Sequence, residues 1–271
     1  MFSQFIKIYI NLICCKIWDI TQNRMRAMFK RHTSEVTSIS FSPDGRSLVS
    51  GSYDCSVCIW NIRGGSSKEL TVAAAGLFLS VVFSPDGRYI AAADARSSLW
   101  IWDSRTHKLV ANWKGHSRLV WCVEFTPDGK GLMSGSMDST VKYWDVSSLG
   151  ILGAVSGRAT VVPGDSFPLI RSFYGHTVRF YFYLIAYSLS RYSLLQETIY
   201  SIAFFPNNNE WVITSSQDKS VRVWDIRTGV WQLVIWGHGM AVMGVDISGA
   251  ENFLATASSD CHATLWRYEV L

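Results

Sequence analysis

The sequence predicts an all-β fold in which four-stranded sheets repeat around an axis, the architecture of a β-propeller. Three observations predict it. Tryptophans recur at fixed spacing: Trp18, Trp60, Trp102 and Trp144 stand 42 residues apart, and so do Trp224 and Trp266. Each sits in a similar phrase: KIWDI (16–20), IWNI (59–62), IWDS (101–104), YWDV (143–146), VWDI (223–226) and LWRY (265–268). Between the phrases recur FSPDGR at 41–46 and 83–88, FTPDGK at 125–130 and FFPNNN at 204–209. Gly-His stands at 115–116, 175–176 and 237–238, with Arg31-His32 in the equivalent place. Self-similarity at a period of roughly 40–45 residues is the mark of one propeller blade per repeat.

The repeat unit reads as strands on its own chemistry. In residues 36–62, an apolar run meets Pro-Asp-Gly, whose residues preset the dihedrals of a turn. A second run, SLVSGS, ends at Tyr53-Asp54, and a third, SVCIWNI, follows. Short runs with frequent turn signals indicate all-β structure. The stretch before the next Gly-His supplies a fourth strand.

Composition narrows the class. Of 271 residues, 48% are apolar and 17% charged, the reverse of a disordered chain. A net charge of +4 is too small for a phosphate-neutralising surface, which argues against direct nucleic-acid binding. Cys14, Cys15, Cys55, Cys58, Cys122 and Cys261 are too scattered for a disulfide scaffold, which favours a reducing compartment. The lone Cys55-Ser-Val-Cys58 pair has no second pair to complete a zinc site and reads as core or edge cysteines. Residues 1–14 lack a small-residue cleavage site and run straight into repeat sequence, so secretion is disfavoured.

The period with its Gly-His and Trp-Asp marks resembles the WD40 repeats: five recognisable blades plus a partial one. Four positions recur inside the repeat as a buried polar relay. His32, Ser52, Asp54 and Trp60 reappear at the same spacing as His116, Ser136, Asp138 and Trp144, and as His238, Ser258, Asp260 and Trp266. His176, Ser216, Asp218 and Trp224 fit once extra sequence is removed. The expected order is indole to serine, serine to histidine, histidine to aspartate. A catalytic triad occurs once and needs an exposed nucleophile, so four copies read as structural. The second blade departs from the pattern, with Ala74 in place of the His and Arg96 in place of the Asp. It is left to packing and backbone ladders alone and is therefore the expected weak blade.

The order of these blades resembles the fungal Tup-type general transcriptional corepressors, relatives of Groucho. A blade without the His-Asp pair, ending RYIAAADARSSLWIWDS (88–104), precedes a Gly-His blade ending GLMSGSMDSTVKYWDVSSL (131–149). A long linker and two further Gly-His blades follow, the last closing on FLATASSDCHATLWRY (253–268). The resemblance implies a non-enzymatic corepressor platform in the nucleus, recruited by DNA-bound repressor proteins, with histones or histone deacetylases as further partners. Family members resemble a seven-bladed propeller behind a helical oligomerisation segment. Here five repeats and the KIWDI remnant imply an incomplete, open seven-bladed ring. The competing reading is another WD40 scaffold, such as a ubiquitin-ligase substrate receptor or a signalling β-subunit.

The reading divides the chain into a non-repeat segment, 1–14, and a propeller domain, 15–271. The last blade stops after its third strand, and Met25–Lys30 is the expected fourth. Within the domain lie a loop insertion at about 147–170 and an aberrant insertion at 178–196. Removing VRFYFYLIAYSLSRYSLLQ joins Gly-His-Thr to ETIYSIAF, so that stretch reads as a translated in-frame intron rather than a surface insertion. No phosphate-cradling loop, metal motif or nucleophile elbow occurs, so no cofactor, metal, membrane or small-molecule substrate is expected.

The expected partner surface is the rim that carries the His and Asp of each relay. Five positions after the His, with 178–196 set aside, stand Thr37, Trp121, Tyr200 and Met243. One position before each Asp stand Tyr53, Met137, Gln217 and Ser259. Aromatic and Met residues around a channel mouth suit the capture of a short peptide segment.

Overall fold

Apolar runs of five to seven residues separated by tight turns pair with their sequence neighbours, because an antiparallel partner is the nearest way to satisfy each backbone group. The computed structural model describes residues 13–19, 22–70, 75–149, 167–176, 197–206, 208–248 and 252–268. All its elements are strands. A two-stranded sheet, β1 (Cys14–Asp19) and β2 (Arg24–Lys30), comes first. Blade one follows as β3 (Val36–Phe41), β4 (Ser47–Ser52), β5 (Val57–Asn61) and β6 (Ser67–Glu69). Blade two is β7 (Phe78–Phe83), β8 (Tyr89–Asp94), β9 (Ser98–Asp103) and β10 (Leu109–Lys114). Blade three is β11 (Val120–Phe125), β12 (Gly131–Ser136), β13 (Thr140–Asp145) and β14 (Leu169–Tyr174). Blade four is β15 (Ile199–Phe204), β16 (Trp211–Ser216), β17 (Ser220–Asp225) and β18 (Trp231–Trp236). Blade five has three strands, β19 (Val242–Ile247), β20 (Phe253–Ser258) and β21 (Ala263–Arg267).

Each blade is an antiparallel meander in chain order, and the innermost strands β3, β7, β11, β15 and β19 pack in series. The core is a set of layers between blades rather than one centre. Val49, Phe78, Ile90 and Trp102 fill the layer between blades one and two, and Ala93, Leu99, Val123 and Trp144 fill the next. Glycine permits the closest approach: a Cβ on Gly51 would meet Val81 Cγ1 at 2.6 Å, so β4 lies almost on β7. Hydroxyls stitch neighbouring inner strands across these layers. Ser38 Oγ accepts from Val81 N (3.1 Å) and Ser80 Oγ from Val123 N (3.2 Å).

Two expectations about the chain ends change. Met25–Lys30 does not complete the last blade. It lies in β2, paired antiparallel with β1, because the turn between them brings KIWDI and its own downstream run together locally. Cys15, Ile17 and Phe29 then pack on Leu48 and Trp60 of blade one. Blade five has blade four as its only substantial neighbour among the described residues, and Leu265 on its outward face is 63% exposed. The ring is open there. Strand β14 begins at Leu169, so the last two residues of the expected 147–170 loop belong to blade three. Residues 150–166 and 178–196, with Ala74, lie outside the described residues.

Candidate functional site

The Asp-x turns that join the second and third strands of the blades place the relay at one rim. Cys55, Ser97, Ser139, Lys219 and Cys261 all adopt left-handed backbone there, with φ between 66° and 70°. In four of the five the preceding Asp side chain holds this turn together: Asp54 Oδ1 accepts from Ser56 N (2.9 Å) and Asp138 Oδ1 from Thr140 N (3.0 Å). The same carboxylates reach the histidines. Nδ1 of His32, His116, His176 and His238 lies 2.9, 2.9, 2.8 and 3.1 Å from Asp54, Asp138, Asp218 and Asp260.

The third relay member differs from the expectation. Nε2 of these histidines meets Ser50, Ser134, Thr214 and Thr256 at 2.7–2.8 Å, and not Ser52, Ser136, Ser216 or Ser258. Trp60, Trp144, Trp224 and Trp266 donate to those same four hydroxyls at 2.7–3.0 Å. Strand register is the reason. Leu48 pairs with Trp60 and Ser50 with Cys58, so Ser50 is the diagonal neighbour of the indole. Ser52 stands two residues further along, roughly 7 Å away. It closes the turn instead, accepting from Asp54 N and donating to Ser34 O, as Ser136, Ser216 and Ser258 do in their blades.

This chain of donors fixes the protonation. Each hydroxyl accepts from an indole and so turns its own proton to Nε2, leaving Nδ1–H for the carboxylate. Burial holds His116 and His176 below the ordinary imidazole range, against the pull of their Asp partners. Burial alone would raise Asp138 and Asp218, but hydrogen bonds from His and from Thr140 or Ser220 bring Asp138 well below the usual carboxylate range and lower Asp218 too. In blade four the relay forms although His176 and Asp218 are 42 residues apart, against 22 elsewhere. The buried hydroxyls have no exposed face, which fits a structural role.

Blade two is organised differently from the expectation of packing and ladders alone. Asp94, at the repeat position of Ser52, is fully buried. Its Oδ2 accepts from Trp100 Nε1 (2.9 Å) and Gly76 N (3.2 Å), and its Oδ1 from Arg96 N (2.9 Å) and Ser98 N (2.8 Å). One carboxylate replaces the His, the Asp and the hydroxyl together. Every residue of β8 is buried, so the missing His-Asp pair leaves this blade as well packed as its neighbours.

The same rim opens onto a cavity of about 280 Å³ at the axis, lined by Glu35, Val36, Thr37, Tyr53, Leu79, Trp121, Tyr200 and Met243. Each inner strand carries a β-bulge at its start: the pairing register slips between Val36 and Ser38, Phe78 and Ser80, Val120 and Cys122, Ile199 and Ser201, and Val242 and Gly244. The residues skipped are Thr37, Leu79, Trp121, Tyr200 and Met243. A bulge re-aims the side chain it releases from the ladder. Five bulges thus turn five side chains onto one cavity.

Five of the eight expected rim residues line this cavity; Met137, Gln217 and Ser259 do not. Gln217 and Ser259 are exposed on turns outside the wall. Leu79, Glu35 and Val36 were missed. Leu79 was legible, since it stands 42 residues after Thr37, but the missing His had removed blade two from the reading. Thr37 also does structural work: its Oγ1 lies within bonding reach of the carbonyls of Gly51 (3.0 Å) and Phe78 (2.7 Å). Trp121 and Tyr200 meet edge to face, with centroids 5.5 Å apart.

A family model described as WD domain, G-beta repeat matches residues 23–61, 69–103, 107–145, 190–225 and 230–267, more than half of the chain. The chain belongs to the WD40 repeat family. Its fold is therefore a WD40 β-propeller of five blades, with the β1–β2 pair as the partial one. Among curated proteins, this WD40 chain is similar to the transcriptional repressor rco-1 of Neurospora crassa, 35% identical over 78 residues. It is similar also to the general transcriptional corepressor TUP1 (32% over 68 residues) and the pre-mRNA-splicing factor PRP46 (39% over 57 residues), both of Saccharomyces cerevisiae. These matches cover 27%, 23% and 21% of the WD40 chain and only 13%, 10% and 13% of the relatives. No cluster of three or more His, Cys, Asp or Glu suited to a metal ion occurs among the described residues.

Proposed function

We propose that this WD40 chain is a non-enzymatic interaction platform of a nuclear transcriptional corepressor, recruited by DNA-bound repressor proteins. The observation that carries the reading is the cavity at the channel mouth, where bulges gather Trp121, Tyr200, Met243, Leu79 and Thr37 beside Tyr53. Aromatic and Met side chains around a concave mouth are the composition of a peptide hot spot. Two curated relatives named as a repressor and a corepressor support the transcriptional assignment. Histones or histone deacetylases are the further partners this reading expects, with no direct contact to DNA.

A second reading, another WD40 scaffold such as a ubiquitin-ligase substrate receptor or signalling β-subunit, is favoured by the breadth of the relatives, which include a splicing factor. Affinity purification of the full chain from nuclei separates the two. Recovery of sequence-specific repressors and histone deacetylases, lost on Trp121→Ala, is the expected result. Recovery of ligase subunits or splicing factors in their place overturns the corepressor reading.

A further inference from the structure

The inner strands that surround the channel have a biased charge. Their sequences are VTSISF, FLSVVF, VWCVEF, IYSIAF and VMGVDI, which hold two carboxylates, Glu124 and Asp246, and no Lys, Arg or His. The two occupy the same repeat position, three residues beyond Trp121 and Met243. At the mouth itself, the only ionisable group of the wall besides tyrosine is Glu35. The rim cations Arg118 and Lys219 are exposed and stand outside the lining. These acidic groups lie in a chain of net charge +4, so the acidity is local to the axis.

Glu124 is half-buried, and no cation or hydrogen-bond donor among the described residues compensates it. Burial, reinforced by the Asp246 carboxylate two blades away, pushes it up to about 8. A carboxyl group held neutral in this way gives up its proton when a cation enters the channel beside it, because an opposite charge favours the ionised form. The wall above it offers the aromatic faces of Trp121, Tyr200 and Tyr53, which attract a cation further. The volume, about 280 Å³, is below the roughly 300–1,000 Å³ of small-molecule sites and suits one or two side chains.

We propose that the cavity takes the Lys or Arg side chain of an extended peptide segment, threaded past the aromatic mouth toward Glu124 and Asp246. This rests on the reading of the mouth as a peptide site and names the chemistry of its ligand.

The test pans a phage-displayed random heptapeptide library on the full chain, then titrates a recovered peptide. The expected result is a fixed Lys or Arg in the recovered set, at least 10-fold weaker binding to Met243→Lys, and tighter binding to Met243→Glu. Met243 is exposed at the mouth, so both variants fold, and circular dichroism melting verifies it. Glu124→Gln reports on the deeper charge, with a several-fold loss for the basic peptide and none for its Arg→Met counterpart. Recovered peptides that need Trp121 but show no basic preference, or equal effects of Met243→Lys and Met243→Glu, overturn the proposal and leave the mouth standing. Peptides indifferent to Trp121 overturn both.

Discussion

Blade two and blade five make opposite use of the same repeat. Blade five has the full relay, His238, Asp260, Thr256 and Trp266, yet its outward face is bare: Leu265 is 63% exposed. Blade two has no histidine and sets Arg96 where the others have Asp, yet β8 is buried from Tyr89 to Asp94. It has blades on both sides, with Ala92 and Trp102 packed toward one and Ala93 and Leu99 toward the other. The comparison teaches that neighbours supply most of a blade's stability and that the relay adds local definition. At roughly 25 cal/mol per Å² of apolar surface, a second covered face outweighs a few hydrogen bonds of about 1 kcal/mol each.

The sharpest way to break this comparison is inside blade two. Asp94→Ala strips four donors of their acceptor in a dry site and is expected to cost about 3–5 kcal/mol, the largest effect of the set. Chemical denaturation reads it directly, and a loss under about 1 kcal/mol contradicts the replacement of the relay by one carboxylate. Asp138→Ala, in the covered blade three, is expected to cost about 1–3 kcal/mol by leaving His116 unpaired. Asp260→Ala, in the open blade, is expected to move the melting temperature less than Asp138→Ala. An equal shift would show that burial does not weight the relay. Ser50→Ala is expected to lower the melting temperature more than Ser52→Ala, because only Ser50 joins the indole to the imidazole.

The relay also predicts a pH profile. His116 and His176 are depressed in the folded state, so folding favours the neutral ring; stability is complete above their ordinary value of 6.5 and is lost as pH falls below it. Asp138 and Asp218 are depressed too, and their contribution holds above 3.8 and fades below it. Glu124, raised from 4.5 to about 8, works the other way and loses stability as pH rises through that window; in a Glu124→Gln background, which removes it, the melting temperature is expected to be level from pH 8 to 7, to fall below about 6.5, and to fall again below about 4. A level profile down to pH 5 contradicts the neutral, buried histidines.

The repeat made much of this legible. Spacing alone located His, Asp and Trp, because identical offsets in successive blades demand identical geometry. It misplaced the relay hydroxyl by two residues, since Ser stands at both Ser50 and Ser52, and at both Ser134 and Ser136. Only the cross-strand register tells the diagonal neighbour of Trp60 from the turn residue above it. The bulges left no trace in the text either. A residue skipped in every blade changes no spacing, so Thr37, Trp121, Tyr200 and Met243 were found by their rim position and Leu79 was passed over. Blade two was misjudged because Asp94 performs its role from a position where the other blades carry Ser.

If the bulge residues form the docking surface and not merely the packing between blades, truncating them weakens binding without unfolding the chain. Isothermal titration of a repressor-derived peptide against the folded chain and its Trp121→Ala and Tyr200→Ala variants tests it most directly. The expected result is a loss of roughly 1–3 kcal/mol in binding for each variant, with melting temperatures close to the parent. Unchanged affinity in both variants would contradict it and move the site to the opposite face or to the blade edges.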